Sequence, residues 1–252
     1  MNYGVSTSEL KNSAKPFSPE EIKSLGSVLV FAPHPDDESL ACGGLIALLR
    51  SLNHSVHITF VSDGSMSHPG SRKYSPALLS KLRAGEAVSA LALLNVPARQ
   101  VFFLKFKDGS VPHINNPGFK QAVKTVSGHI KEIQPNTIVL PWRRDTHTDH
   151  RACWQIVNDA LSLSGIKVLA LEYPLWLWER GSREDLPQKD EMEIRSVEIT
   201  QWLPIKEKAI NEHQSQVTRI IDDDPNGFWL SPEVIAHFLV PQELFLTSIL
   251  PH

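Results

Sequence analysis

The chemistry in this chain concentrates in two short runs. The first is Ala32-Pro33-His34-Pro35-Asp36-Asp37-Glu38, which places one imidazole and three carboxylates within five residues. The second is Asp145-Thr146-His147-Thr148-Asp149-His150, with a His-x-Asp-His core. Two histidines and a carboxylate, with a fourth position left for water, are a usual composition for a catalytic zinc site. Neighbours on an extended segment point to opposite sides, so Asp36 and Asp37 are not both expected to bind one ion. One ligates; the other faces the bound water as general base. Zinc lowers the pKa of that water to about 7, which suits hydrolysis of an amide or ester through a tetrahedral oxyanion. The remaining histidine is suited to stabilising that oxyanion or protonating the leaving amine. Zinc fits the ligand types best, and iron, cobalt or nickel can occupy the same set.

Both runs begin where a buried strand is expected to stop. Val28 to Ala32 is apolar throughout and meets Pro33, while Thr137 to Leu140 meets Pro141-Trp142. The prolines flanking His34 cannot continue a helix and keep the segment extended, a stiff mount for ligating side chains. Three more strands are expected at Val56–Val61, Val101–Phe106 and Val168–Glu172, with helices at Ser39–Leu52, Pro76–Leu94, Phe119–Ile133 and His150–Leu163. A short helix opens at Ser18-Pro19-Glu20-Glu21, a capping sequence with proline at the first position. Strands alternating with helices of this length form a mostly parallel, Rossmann-like α/β sheet with helices on both faces. In the order 3-2-1-4-5, strands one and four are neighbours at the switch point. That order brings His34, Asp36 and Asp37 beside His147, Asp149 and His150. In the tail, Trp176-Leu177-Trp178 and Arg195–Trp202 suggest extra strands, and Pro204–Val217 and Pro232–Leu239 suggest late helices.

Composition removes several function classes. At 252 residues with no repeat or linker, one domain spanning 1–252 is expected, residues 1–17 forming a loosely ordered extension. A net charge of −3 gives no reason to expect nucleic acid as partner. Two cysteines, Cys42 and Cys153, are too few for a disulfide framework. No apolar run approaches the length of a membrane span, and no signal-peptide pattern opens the chain, so a cytoplasmic protein is expected. The aromatic tail suits a homo-oligomer interface as well as a substrate wall.

With its two runs, the chain resembles the PIG-L/LmbE deacetylases, zinc-dependent N-deacetylases of N-acetylglucosamine conjugates. Two further segments are similar to that family: Arg83-Ala84-Gly85-Glu86-Ala87 followed by Leu94-Asn95-Val96, where Asn95 replaces the usual glycine, and Lys206-Glu207-Lys208-Ala209-Ile210 followed by Ser215-Gln216. The resemblance implies His34, Asp37 and His150 as zinc ligands and Asp36 as general base. It implies His147 as the group stabilising the oxyanion, Asp149 as the partner that orients a histidine, and Arg83 as a substrate contact. The partner it implies is a small amino-sugar conjugate. Trp176 to Asp190, on the acceptor side, carries no family pattern.

Competing readings remain. The same metal site can serve another amide, such as a thiol-sugar conjugate. A non-catalytic Rossmann-like sugar- or nucleotide-binding module is a different class, but Cys42-Gly43-Gly44 is not its glycine fingerprint. A binuclear phosphoesterase needs more bridging carboxylates than these runs supply. Arg83 and Glu86 are also spaced for an ordinary intrahelical ion pair, Asp63-Gly64 for a turn, and Asp222-Asp223-Asp224 for a solvated turn. His213 and His237 lie where late segments can close over a site.

Overall fold

In the computed structural model, residues 7–188 and 191–248 are described, except for the side chains of 7–9, 178 and 179. The elements in chain order are α1 (Thr7–Ser13), β1 (Lys15–Pro16), α2 (Pro19–Ser24), β2 (Val28–Ala32), α3 (Asp37–Ser51), β3 (Val56–Ser62), α4 (Pro76–Leu93) and β4 (Val101–Phe106). Then follow α5 (Phe119–Ile133), β5 (Thr137–Pro141), α6 (Thr148–Ser164), β6 (Leu169–Tyr173), α7 (Leu177–Arg180), β7 (Met192–Glu198), α8 (Leu203–Glu212), α9 (Gln214–Val217), α10 (Pro232–Ala236) and β8 (Gln242–Ser248).

One eight-stranded sheet runs in the order β4-β3-β2-β5-β6-β8-β7-β1. Its first five strands are parallel and keep the expected 3-2-1-4-5 order. Every residue of β2 and β5 is buried, as a parallel strand covered on both faces requires. Alternation divides β2 between the two cores. Val28, Val30 and Ala32 pack with α3, α4 and α8, while Leu29 and Phe31 pack with α5 and α6. Val28 pairs with Val56 of β3 and Thr137 of β5, so β2 and β5 end side by side.

The sheet extends further than the sequence suggests. Beyond β6 lie β8, which is antiparallel to both its neighbours, then β7, then β1 parallel to β7. Neither β8 nor β1 was expected. Trp176-Leu177-Trp178 is not a strand: Trp176 caps α7, and the Trp178 side chain lies outside the described residues. The expected strand Arg195–Trp202 is β7 shifted toward the N-terminus, followed by a 3-10 turn at Thr200–Trp202. The expected helix Pro204–Val217 is two, broken at His213. Residues 7–17 are built into the fold through α1, β1 and the buried Leu10, whereas residues 1–6 lie outside the described residues.

Local sequence explains the helix starts. Ser18 accepts from the Glu21 N–H while Glu21 caps Ser18 in return. Ser75 caps α4 ahead of Pro76. Gly43 and Gly44 admit the tail rather than a ligand, since a Cβ on Gly44 would stand 2.6 Å from Ile199. Beside them the buried Glu243 of β8 accepts from the Gly44 and Leu45 N–H groups and from Lys206 Nζ, each at 2.8 Å. A buried carboxylate survives only with such partners.

Candidate active site

The polar runs sit at the C-terminal ends of β2 and β5, outside the carboxyl edge of the sheet where α/β folds bind ligands. Helix α3 starts at Asp37 with Asp36 at its N-cap, and α6 starts at Thr148 with His147 at its N-cap. The positive ends of both helices therefore face the same space. A cavity of about 150 Å³ opens there, lined among others by His34, Asp36, Asp37, Arg83, Asp108 and His147. Larger cavities of about 200 and 550 Å³ lie elsewhere and include none of these residues.

The structure brings the expected ligands together. Asp37 Oδ2 lies 3.3 Å from His34 Nδ1 and 3.2 Å from His150 Nε2. The same oxygen accepts the His34 backbone N–H at 2.8 Å, which fixes the carboxylate. His150 is fully buried, yet neither of its ring nitrogens has a hydrogen-bond partner among the described residues. Its nitrogens face Asp37 and Asp145 without hydrogen-bond alignment, and a buried group of imidazoles and carboxylate in that arrangement is completed by a cation. The donor set therefore fits a divalent metal ion. His147 brings a ring nitrogen within 4.8 Å of those of His34 and His150, so a three-histidine set is also geometrically open.

Electrostatics separates the two adjacent aspartates. Burial pushes the Asp36 carboxyl up to about 7; Arg83 pulls against this and Asp37 adds to it. For Asp37 burial acts in the same sense, but His150 and His34 outweigh it and hold its carboxyl well below the usual range. Burial opposes the charge on His150 as well, and Asp37 and Asp145 nevertheless raise it to about 9. His147 is lowered to about 4, by burial and then by His34 and His150, so its ring is neutral. Its Nδ1 accepts the Asp149 N–H at 3.2 Å, which leaves the proton on Nε2.

Asp149 lies against His34. Its Oδ2 is 3.2 Å from His34 Nε2 and accepts the Gly109 N–H at 2.7 Å, while Oδ1 accepts the Val111 N–H. Asp108 stands in an Asp-Gly pair, which in the sequence signals only a turn. Its Oδ1 also lies 3.2 Å from His34 Nε2, giving that nitrogen two carboxylates. Asp145 is a second residue missed, fully buried, 3.4 Å from His150 Nδ1 and holding the His147 and Trp176 N–H groups. Asp108 lies two residues past the end of β4 and Asp145 four past the end of β5, in the same kind of segment past a strand end as His34.

Arg83 differs from expectation. It lines the cavity, but its guanidinium donates to Gly64 O, Pro35 O and Asp36 Oδ2 and is buried there. It clamps the Asp36 carboxylate. The Arg83–Glu86 pair does not form, because Glu86 accepts instead from the Ser215 backbone and hydroxyl. Asp36 itself has φ of +141°, a conformation that costs a non-glycine residue on the order of 1–3 kcal/mol. Asp63 serves a turn, accepting from Ser65 and Asp108 N–H groups. Asp223 and Asp224 are not a free solvated turn: they clasp the loop at Gly70–Lys73, and the adjoining Ser67 O accepts the Phe228 N–H. Trp176 lines the cavity edge-on to Phe228, and the exposed His237 lies at a different cavity.

Comparison with known proteins agrees with this architecture. A curated putative glucosamine-6-phosphate deaminase-like protein of Bacteroides thetaiotaomicron is 25% identical over 281 residues, covering 88% of this chain and 41% of that protein. The diacetylchitobiose deacetylase of Thermococcus kodakarensis is 26% identical over 150 residues, covering 58% and 53%. The chain thus spans about half or less of the length of these relatives. The N,N'-diacetylchitobiose deacetylase from Pyrococcus horikoshii, solved with an inhibitor, superposes with a TM-score of 0.67 at 21% identity, covering 91% of this chain and 86% of that one. The family model described as PIG-L, GlcNAc-PI de-N-acetylase, matches residues 29–161, more than half of the 252, and the chain belongs to that family.

Proposed function

We propose that this protein is a metal-dependent hydrolase that removes the acetyl group from the amide nitrogen of an N-acetylglucosamine-type conjugate. The observation that carries the reading is the Asp37 oxygen shared between His34 Nδ1 and His150 Nε2, one residue from the strained Asp36. His34, Asp37 and His150 would hold the ion, which zinc suits best. Asp37 is preferred to His147 as third ligand because its buried charge needs a cation, whereas His147 is neutral. When bound, the ion supplies Lewis acidity and a water acidified to a pKa of about 7.

The chain's own residues supply the rest. Asp36, pushed up to about 7, is matched to accept a proton from the attacking water near neutral pH. As the water oxygen bonds to the acyl carbon, His147 donates its Nε2–H to the oxygen that gains charge. The C–N bond then breaks, and the proton held on Asp36 passes to the leaving amine. Asp149 and Asp108 hold the His34 Nε2–H, which turns Nδ1 toward Asp37.

The 252 residues act in this reading as one deacetylase domain, in the cytoplasm, on a small sugar conjugate. No helix among the described residues is long and apolar enough to cross a membrane. The test is acetate release from a panel of N-acetylglucosamine conjugates, with and without chelator. Chelator-sensitive release is expected; no release from any conjugate by metal-loaded protein would overturn the substrate class.

A further inference from the structure

A single turn of the C-terminal segment, outside the residues matched to the family, reaches Asp36 from two sides. His213 sits at the break between α8 and α9 and is buried. Its Nε2 lies 3.1 Å from Glu38 Oε1, which also accepts the Ser39 hydroxyl at 2.7 Å. The other oxygen of the same carboxylate, Glu38 Oε2, accepts the Asp36 backbone N–H at 3.0 Å. That N–H belongs to the residue with φ of +141°. Two residues on, the Ser215 N–H and hydroxyl grip Glu86 of α4 at 2.8 and 2.6 Å. Glu86 is one helical turn from Arg83, whose guanidinium donates to Asp36 Oδ2 and Pro35 O.

These contacts divide the work. Glu38 holds the Asp36 main chain and is itself met by His213, while Arg83 holds the Asp36 side chain from a helix that Ser215 grips at Glu86. A backbone in a sparsely populated conformation persists only when its surroundings over-determine it. A site that is 1 Å too loose loses much of its rate. Glu38 is fully buried, so its carboxylate needs partners on both oxygens, and His213 is the partner from the C-terminal segment on one of them.

We infer that His213 is a positioning residue for Asp36, acting through Glu38 to hold the strained backbone that aims the carboxylate into the cavity. The inference rests on the reading of Asp36 as general base. It goes beyond that reading by assigning a role to a histidine that touches none of the proposed metal ligands.

The experiment compares wild type with His213→Ala, His213→Gln and Glu38→Gln. Gln at 213 retains an N–H that can reach Glu38; Gln at 38 keeps an acceptor for the Asp36 N–H but cannot accept from two donors on the other side. The first readout needs no substrate: amide hydrogen exchange over residues 31–40, together with metal content. His213→Ala should raise exchange at Asp36 at least tenfold, leave metal content at the wild-type ratio, and be largely restored in His213→Gln. On an active conjugate kcat should fall 10- to 100-fold with KM within about twofold, and His213→Gln should recover most of it. Wild-type exchange at Asp36 in His213→Ala, or in Glu38→Gln if the alanine variant does not fold, overturns the inference. So does a kcat within twofold of wild type. Wild-type protein without acetate release would overturn the functional reading alone, because exchange and metal content still decide the role of His213.

Discussion

Replacing Asp149 by Asn tests the link between the site's polar frame and the fold. The Asp149 carboxylate accepts three bonds, from Gly109 N–H and His34 Nε2 on one oxygen and Val111 N–H on the other. Asn has one acceptor oxygen and an NH2 group. If the oxygen faces Gly109 and His34, the NH2 faces the Val111 N–H, donor against donor. Leaving one buried donor unsatisfied costs about 1–3 kcal/mol, and turning two charge-assisted bonds into neutral ones costs about 1 kcal/mol more for each. Together these come to about 3–5 kcal/mol, which shifts Tm by roughly 6–20 °C in a chain of this size. Loss of the partner that orients His34 should also weaken metal binding about 10–100-fold. Calorimetry on the metal-free proteins reads the first effect, and competition with a chromophoric chelator reads the second. An Asp149→Asn protein that melts within about 2 °C of wild type and binds metal equally well would refute the reasoning from burial and partner count.

Other outcomes follow from the same geometry. Asp36→Asn should keep full metal content while turnover falls about 10²–10⁴-fold; loss of metal in this variant removes Asp36 from the role of base. His150→Ala should lose bound metal in dialysis against a weak chelator, and a fully metallated variant takes His150 out of the ligand set. Metal uptake should depend on pH, because His150 is raised to about 9 by Asp37 and Asp145 against the effect of burial. In the metal-free protein this raised pKa contributes stability that is complete below the ordinary histidine value and is lost as pH rises toward 9. The ion must displace that proton, so apparent affinity should rise about tenfold per pH unit from about 6.5 to 9. A flat affinity across that window contradicts a protonated His150.

Much of the site was legible because metal chemistry and strand ends coincide. His34 follows an apolar run closed by proline, and His150 follows another, so the parallel order alone brought them together. Asp36 and Asp37 were expected to part by the alternation of an extended chain, but the segment turns over residues 33–36 and α3 begins at Asp37, so the φ of +141° at Asp36 is what separates them. The positive φ of Asp36 was not legible, since Asp carries no local signal for it, and the conformation is held by Glu38 and Arg83 from other parts of the network. Asp108 looked like a turn residue because Asp-Gly is a turn signal; its approach to His34 depends on β4 lying two strands away. Strand β8 escaped notice because its pairing with β7 is long-range and Glu243 near its start reads as a surface residue. Its burial makes sense only beside Lys206 and the backbone N–H groups of Gly44 and Leu45. Trp176 was expected in an extra strand from its aromatic alternation, yet the fold uses it at the cavity rim.

Metal content of the purified protein, measured with the acetate release that returns when metal is added to the chelator-treated protein, tests the central claim most directly. One divalent ion per chain, with release abolished by chelation and restored by zinc, is the predicted result. Acetate release that persists in protein stripped of metal would contradict it.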